Sequence, residues 1–183
     1  CMAIGDFLDD ANKLKPGNFY RHDSVYIVSD KIEHSGIHYK KLPDFMDQMI
    51  RFANEEDNIN DLLKAAMLHF YLGYLHPYFD GNGRMARLIH LWFLIQRGYE
   101  AALFVPFSSY IERSRKAYYN AYSLVEGNYK ISGVMDITPF LLYFIENVYH
   151  KLATAFPTTA TTKHTFQVAL EQGNITEKEH SLW

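Results

Sequence analysis

The sequence predicts an all-α fold with one small β-hairpin, and three observations support that class. After residue 43, apolar side chains recur every three or four positions, which is the period of an amphipathic helix. The best β-branched and aromatic run lies before that point, at residues 24–29. Helix-start signals then follow one another along the chain, namely first-turn prolines and capping boxes. Short apolar strands do not alternate with helices, so a parallel sheet is not expected.

The predicted hairpin combines Ser24 to Ser29 (SVYIVS) with a weaker strand at Ile37 to Tyr39, which Ser35 and Gly36 precede. Its β-branched and aromatic residues suit a pleated surface.

Four helices are predicted in the middle of the chain. The first has Pro43 in its first turn, and the second ends near His76 because Pro77 disfavours a helical residue before it. The third runs over residues 83–96 with Gly98 at C′, and it is apolar almost all round, so we expect it to be buried. The fourth opens with the capping box Ser109-x-x-Glu112 and continues to Gly127.

One more helix is predicted to open at Thr138-Pro139. We expect residues 1–18 to be an N-terminal helical lead-in, 19–152 a catalytic core, and 153–183 a linker with the start of a further helical module. A capping box at residues 176–179 stands just before the chain stops, and the chain starts Cys1-Met2. Both ends therefore predict a fragment of a longer protein.

Composition narrows the function classes. The chain has 183 residues, enough for one domain with a sizeable core, and a net charge of −3, which does not favour a nucleic-acid partner. Its single cysteine, Cys1, excludes an internal disulfide. No apolar run reaches membrane-spanning length and no signal-peptide pattern is present, so we expect a soluble, cytoplasmic protein without a membrane partner.

The chemistry is concentrated between residues 76 and 87 (HPYFDGNGRMAR). Gly81 and Gly83 let the backbone turn its N–H groups inward as an anion-binding nest. A helix that starts at Asn82 or Gly83 directs its unpaired N–H groups and the positive end of its dipole to the same place. Arg84 and Arg87 lie three apart on that helix. The segment therefore predicts a site for a di- or triphosphate.

Two further residues predict a reaction. Asp80 would repel phosphate but suits Mg²⁺, which bridges carboxylate and phosphate oxygens. His76, at the entrance of the loop, can act as a general base near neutral pH. The residues thus predict attack by a hydroxyl group on a phosphorus atom.

Simpler interpretations stay open for each feature alone. A His-Pro pair at a helix end is usually structural, and paired arginines usually form a solvated face. The loop does not fit an EF-hand, which would need Gly at Met85 and Glu at Leu91, and the chain has no P-loop motif. His69, His76 and Asp80 could instead hold a metal, although that leaves the arginines and glycines unexplained.

The segment resembles the signature of the Fic family, H-P-[FY]-x-[DE]-G-N-G-R-x-x-R, and every specified position matches. Looser resemblance covers roughly Phe19 to Leu152. It implies a Fic-type helical bundle with a small β-hairpin flap, and catalysis by His76, Asn82 and Arg84. It also implies Mg²⁺ on Asp80, a target-binding flap at Gly36, Ile37, His38 and Tyr39, and nucleotide contacts from Gly81, Asn82, Gly83, Arg84, Arg87, Tyr118, Tyr119 and Tyr122.

The activity that the resemblance implies is transfer of AMP from Mg·ATP to a hydroxyl side chain of a target protein, or of the protein itself. A nucleotide-sensing adaptor, a transferase with another donor, and an enzyme that removes AMP stay open as alternatives. The inhibitory [ST]-x-x-x-E-[GN] helix of many relatives is not found in the sequence. Three alternatives stay open: the helix lies outside this chain, it lies on a partner protein, or the enzyme is not regulated in this way. We favour a helix upstream of this chain. A nucleic-acid partner is expected only if a winged-helix domain follows.

Overall fold

In the computed structural model, the described part of the chain comprises residues 13–15, 17–29 and 32–151. It forms an all-α bundle with one two-stranded antiparallel sheet, as predicted. The predicted lead-in at 1–18 falls mostly outside these residues, and the predicted C-terminal module falls outside them entirely. The strands are β1 (Tyr26–Ser29) and β2 (Ile32–Ser35), and the helices are α1 (Leu42–Asn54), α2 (Asp61–Leu75), α3 (Asn82–Gln96), α4 (Phe107–Arg113), α5 (Arg115–Ser132) and α6 (Thr138–Phe144).

The first strand of the hairpin confirms the prediction, but the second strand was predicted too late in the sequence. The register pairs Tyr26 with Ser35 and Ser29 with Ile32. Ile37 and His38 are therefore not in a strand, and Tyr39 begins a short 3₁₀ turn. The sequence IEHS of β2 has one apolar residue in four, so it lacks the alternation by which a strand is recognised.

Helices α1 to α3 begin and end close to their predicted limits. Pro43 lies in the first turn of α1, and the Asn60 side chain accepts from the Leu62 N–H to cap α2. Gly98 has φ of 88°, the left-handed conformation expected just after α3. The prediction that α3 is buried on all sides is only partly right, since Leu88 is 55% and Trp92 45% exposed. An apolar sequence alone does not place a neighbour on every face.

The single helix predicted from Ser109 to Gly127 is in fact two helices. Helix α4 begins at Phe107, so Ser109 lies within it, and the break falls at Ser114. The Ser114 hydroxyl donates to the Tyr110 carbonyl at 2.7 Å and lies 2.7 Å from the Tyr143 hydroxyl of α6. The break therefore coincides with a tertiary contact to α6. Helix α5 then continues past Gly127 to Ser132.

Helix α2 forms the centre of the bundle and packs against α1, α3 and α6. Its Ala65, Ala66 and Leu68 are fully buried. Helix α6 opens at Thr138 as predicted and continues as a π-helical turn at Ile145–Tyr149. Within the described residues, no helix combines the length and apolar character needed to cross a membrane.

Candidate active site

His76 follows the last residue of α2 and has a left-handed backbone, with φ of 51° and ψ of 59°. It is the one non-glycine residue with positive φ in the described part of the chain. Histidine is among the residues that tolerate this region, and such conformations concentrate at functional sites. Nδ1 of the imidazole lies 3.4 Å from the Gly73 carbonyl oxygen, one turn earlier. The side chain is thereby placed at the mouth of a cleft rather than in the core.

The loop after His76 is closed by the side chain of Asn82. The Asn82 amide oxygen accepts from the Tyr78 N–H at 2.9 Å, and its nitrogen donates to the Tyr78 carbonyl at 2.7 Å. Asn82 is 2% exposed, so both bonds are shielded from water. Gly81 adopts φ of 80° before the helix begins. The Asn82 side chain therefore organises the loop, and its main-chain N–H belongs to the first turn of α3.

A cleft of about 330 Å³ lies beside this loop. It brings together the residues predicted for a base, a metal and phosphates with one turn of α4 and two tyrosines of α5. The lining residues are His76, Phe79, Asp80, Gly81, Asn82, Gly83, Arg84, Arg87, Ile111, Glu112, Arg115, Tyr118 and Tyr119.

Cations surround the N-terminus of α3 in this cleft. Arg84 donates to the Asp80 carboxylate at 3.1 Å, and both side chains are more than half exposed, so this pair can open at little cost. Arg87 forms no ion pair within the described residues, and one of its terminal nitrogens would lie 3.6 Å from a Cβ at Gly83. The first N–H groups of α3 also lack intrahelical acceptors. The arrangement suits an anionic ligand.

The three predicted tyrosines separate in the structure. Tyr118 and Tyr119 line the cleft, whereas Tyr122 does not. The Tyr122 ring packs 5.1 Å from Phe70 and 4.7 Å from Phe140, and its hydroxyl lies against Gly73, where a Cβ would collide with it. Tyr122 lies one turn beyond Tyr118 on α5, beneath α2. The geometry gives it a packing role and lends no support to a nucleotide contact.

None of the predicted flap residues lines the cleft, although Gly36 lies close to His76. Gly36 directly follows β2, and a Cβ there would be 3.0 Å from Cβ of His76. Ile37 is half-buried, and His38 stacks on Tyr39 at 4.7 Å.

Sequence reasoning did not find four residues of the cleft: Phe79, Ile111, Glu112 and Arg115. Glu112 was interpreted as half of a capping box, yet its carboxylate lies 3.6 Å from the Arg115 guanidinium. The Arg115 guanidinium lies 5.8 Å from the centre of the Tyr119 ring. The i, i+3 spacing of Glu112 and Arg115 indicates that the two side chains can pair on one helix face. No pattern in the neighbouring sequence shows that this turn faces residues 76–87.

The alternative metal trio does not form. His69 is fully buried, and its Nε2 lies 2.9 Å from the Tyr118 hydroxyl. Burial lowers the pKa of His69 well below its usual value, and the nearby charges of His90 and Arg87 add to this effect. Among the residues that the structure describes, no three His, Cys, Asp or Glu side chains are placed to hold a metal ion. His69 instead supports Tyr118 from behind the cleft.

Replacing Asn82 tests whether its side chain organises the loop. In Asn82→Ala, the Tyr78 N–H and carbonyl lose their partners, so we expect about 1 to 3 kcal/mol less unfolding free energy. Urea unfolding of this variant would measure the loss. Asn128→Ala, at an exposed position of α5, is the matched control and should be near neutral. Equal stability of the two variants would contradict the organising role.

Solved structures share this fold. A Fic family protein from Desulfovibrio desulfuricans superposes with a TM-score of 0.62 over 87% of this chain and 51% of that chain, at 18% identity. A Fic domain containing signaling protein from Bacteroides thetaiotaomicron gives 0.53 over 84% and 55%, at 19% identity.

Proteins related in sequence belong to the same family as the structural neighbours. Proteins named protein adenylyltransferase Fic, from Drosophila yakuba and Drosophila ananassae, are each 26% identical over 132 residues. These residues are 71% of this chain but 23% of each relative, so the chain spans about a quarter of their length. The Fic/DOC family model matches residues 2–94, which include the whole segment from His76 to Arg87 and are just over half of the chain. The chain belongs to the Fic/DOC family.

Proposed function

We propose that this domain transfers AMP from Mg·ATP to a hydroxyl side chain of a protein, either a target or the protein itself. One observation carries the proposal: a base candidate, a carboxylate, a helix N-terminus and two arginines line the same cleft. The names of the Drosophila relatives support an adenylyltransferase among the Fic-type activities. A nucleotide-sensing module would need the arginines and glycines but would have no use for His76.

The phosphates of ATP would bind at the N-terminus of α3. The N–H groups of Gly83 and its neighbours would donate to the α-phosphate oxygens, as they do to anions at other helix N-termini. Arg84 would give up its ion pair with Asp80 and bind a phosphate oxygen instead. Arg87 would bind the outer phosphates, and it has no ion pair to give up among the residues that the structure describes. Tyr118 and Tyr119 would offer aromatic surface to the adenine ring of ATP.

Asp80 fits the role of a Mg²⁺ ligand. Its carboxylate is exposed to the cleft, and Arg84 is its ion-pair partner there. Mg²⁺ in nucleotide enzymes is commonly bound by one or two carboxylates together with substrate phosphates, so the lack of a three-residue cluster in the described part of the chain is compatible with it. When bound, the ion would neutralise phosphate charge.

His76 would act as the general base. A proton on Nδ1, directed to the Gly73 carbonyl, leaves the lone pair on Nε2. The target oxygen would form a bond to the α-phosphorus while its proton passes to His76, and the bond from that phosphorus to the bridging oxygen would break. The products are AMP-modified protein and pyrophosphate. The hairpin beside His76 would hold the target segment by strand pairing. The compartment that we predict for this reaction is the cytoplasm.

The test compares ATP labelled at the α-phosphate with ATP labelled at the γ-phosphate. The purified protein is incubated with Mg²⁺ and with lysate proteins as acceptors. Either the acceptors or the protein itself should then carry the α-label, and the purified protein should transfer no γ-label. A mass increase of one AMP should accompany the label. EDTA should abolish the transfer, because the proposed donor is the magnesium complex.

Three other labelling results would each indicate a different activity. Uptake of the γ-label alone would mean phosphate transfer and would overturn the proposal. No uptake of either label, with ATP binding still measurable by calorimetry, would favour the nucleotide-sensing module. Release of AMP from pre-modified lysate proteins, without uptake, would favour the reverse reaction.

A further inference from the structure

The side chain of Arg21 is buried next to the catalytic loop, although no motif includes it. The residue is 2% exposed. Its Nε donates to the His76 carbonyl at 2.7 Å, its Nη1 to the Asp23 carbonyl at 2.7 Å, and its Nη2 to the Ile37 carbonyl. Its own main-chain N–H donates to the Pro77 carbonyl at 2.9 Å. Arg21 thus holds three separate stretches of chain.

The hydrogen-bond acceptors of this buried guanidinium are all of one kind. Within the described residues each one is a main-chain carbonyl, and the Asp23 carboxylate stabilises the charge only through space, without a hydrogen bond. Burial lowers the pKa of Arg21. Retaining an arginine under these conditions indicates a geometric task, because its planar fork holds several acceptors in fixed directions.

Two of the held segments meet at His76. The His76 carbonyl belongs to the left-handed residue, whose conformation needs support from its surroundings. Ile37 belongs to the chain that leaves the hairpin. Between them lies Gly36, where a Cβ would come within 2.8 Å of Arg21 Nη2 and 3.0 Å of His76 Cβ. The hairpin exit, the guanidinium, and the backbone and Cβ of His76 therefore lie close together.

We infer that Arg21 is a positioning residue that couples the hairpin to His76, so that the segment holding the target and the proposed base keep one fixed geometry. The inference rests on the proposed function, in which the target lies along the hairpin. Arg21 is not among the residues that line the cleft, so its loss should leave ATP binding nearly unchanged. A base displaced by about 1 Å can cost on the order of 100-fold in rate.

The experiment compares Arg21→Met and Arg21→Lys with Arg51→Met, the same change at an exposed arginine of α1. We expect the AMP-transfer rate at saturating ATP and target to fall roughly 10- to 100-fold in Arg21→Met. The ATP dissociation constant should stay within about twofold, since this change removes no group that would touch the nucleotide. Arg21→Lys should recover part of the rate, because an ammonium donates to carbonyls but lacks the fork. Arg51→Met should match the wild type.

Hydrogen exchange provides a readout that does not depend on catalysis. Peptides over residues 22–37 and 76–83 should both exchange faster in Arg21→Met than in Arg51→Met. Gly36→Ala, which crowds the same contact without removing the charge, should reproduce both effects and replaces Arg21→Met if that variant does not fold. Unchanged exchange, or an unchanged rate at saturation, would overturn the coupling. If the wild type transfers no AMP, the proposed function fails and the exchange data alone decide on Arg21.

Discussion

His76→Ala should lose AMP transfer by roughly 10² to 10⁴-fold, the usual contribution of a positioned general base. Its ATP affinity should remain close to that of the wild type, because the arginines and the N-terminus of α3 are untouched. A fall in the saturated rate at constant affinity marks an interaction made only in the transition state. Initial rates with α-labelled ATP, together with calorimetric ATP binding, would measure both quantities.

The backbone of His76 needs its own control, since alanine fits the left-handed region poorly. Asparagine tolerates that region and lacks a basic nitrogen, so His76→Asn should keep the loop and still be inactive. His150→Ala, at an exposed position after α6, should be fully active. Activity in His76→Asn would show that His76 shapes the loop and does not accept the proton.

The predictable parts of the fold were those that local signals decide. Pro43, Pro77 and Gly98 act on their own neighbours, through a missing donor or a left-handed backbone, so the limits of α1, α2 and α3 follow from the sequence. The loop from His76 to Arg87 was predictable for the same reason, because its glycines and the start of α3 are contiguous. The roles given to its side chains stay predictions until activity is measured.

The missed parts depend on contacts between distant residues. The break at Ser114 coincides with its hydroxyl contact to Tyr143, and no sequence pattern near Ser114 reveals that contact. Arg21 reaches His76 across 55 positions, and Glu112 of α4 lines the same cleft as the start of α3. Tyr118 and Tyr122 share a helix face by sequence. Of the two, Tyr122 packs beside Gly73 of α2, which has no side chain and leaves room for the Tyr122 hydroxyl. Tertiary packing decided each of these cases.

Mild acid should destabilise this domain through two buried histidines behind the cleft. His90 of α3 is 1% exposed, and its ring lies 5.2 Å from Phe144 and 5.1 Å from Phe107. Burial lowers the pKa of His90 to about 3. His69, whose ring is 5.9 Å away, is fully buried and its pKa is lowered as well. Protonating either ring would place a cation among aromatic side chains.

The sign of the effect follows from these shifts. Both pKa values are lower in the folded state than the 6.5 of a free histidine, so the unfolded chain binds more protons below that pH. Stability is therefore complete above pH 6.5 and is lost as the pH falls toward about 3. Within that window His90 costs about 1.4 kcal/mol per pH unit, and His69 acts in the same direction. His90 alone should remove on the order of 1 kcal/mol between pH 7.0 and 5.5, and His69 should add to that loss.

Urea unfolding at the two pH values, in the wild type and in His90→Leu, would measure this loss. Leucine has a similar volume, and the Tyr149 hydroxyl that lies 3.3 Å from His90 keeps its bond to the Leu62 carbonyl. The loss of stability between the two pH values should be smaller in His90→Leu by on the order of 1 kcal/mol, whatever its stability at pH 7.0. His150→Leu, which removes an exposed histidine, should keep the full loss. Equal acid losses in all three proteins would show that groups other than these two buried rings control the acid response.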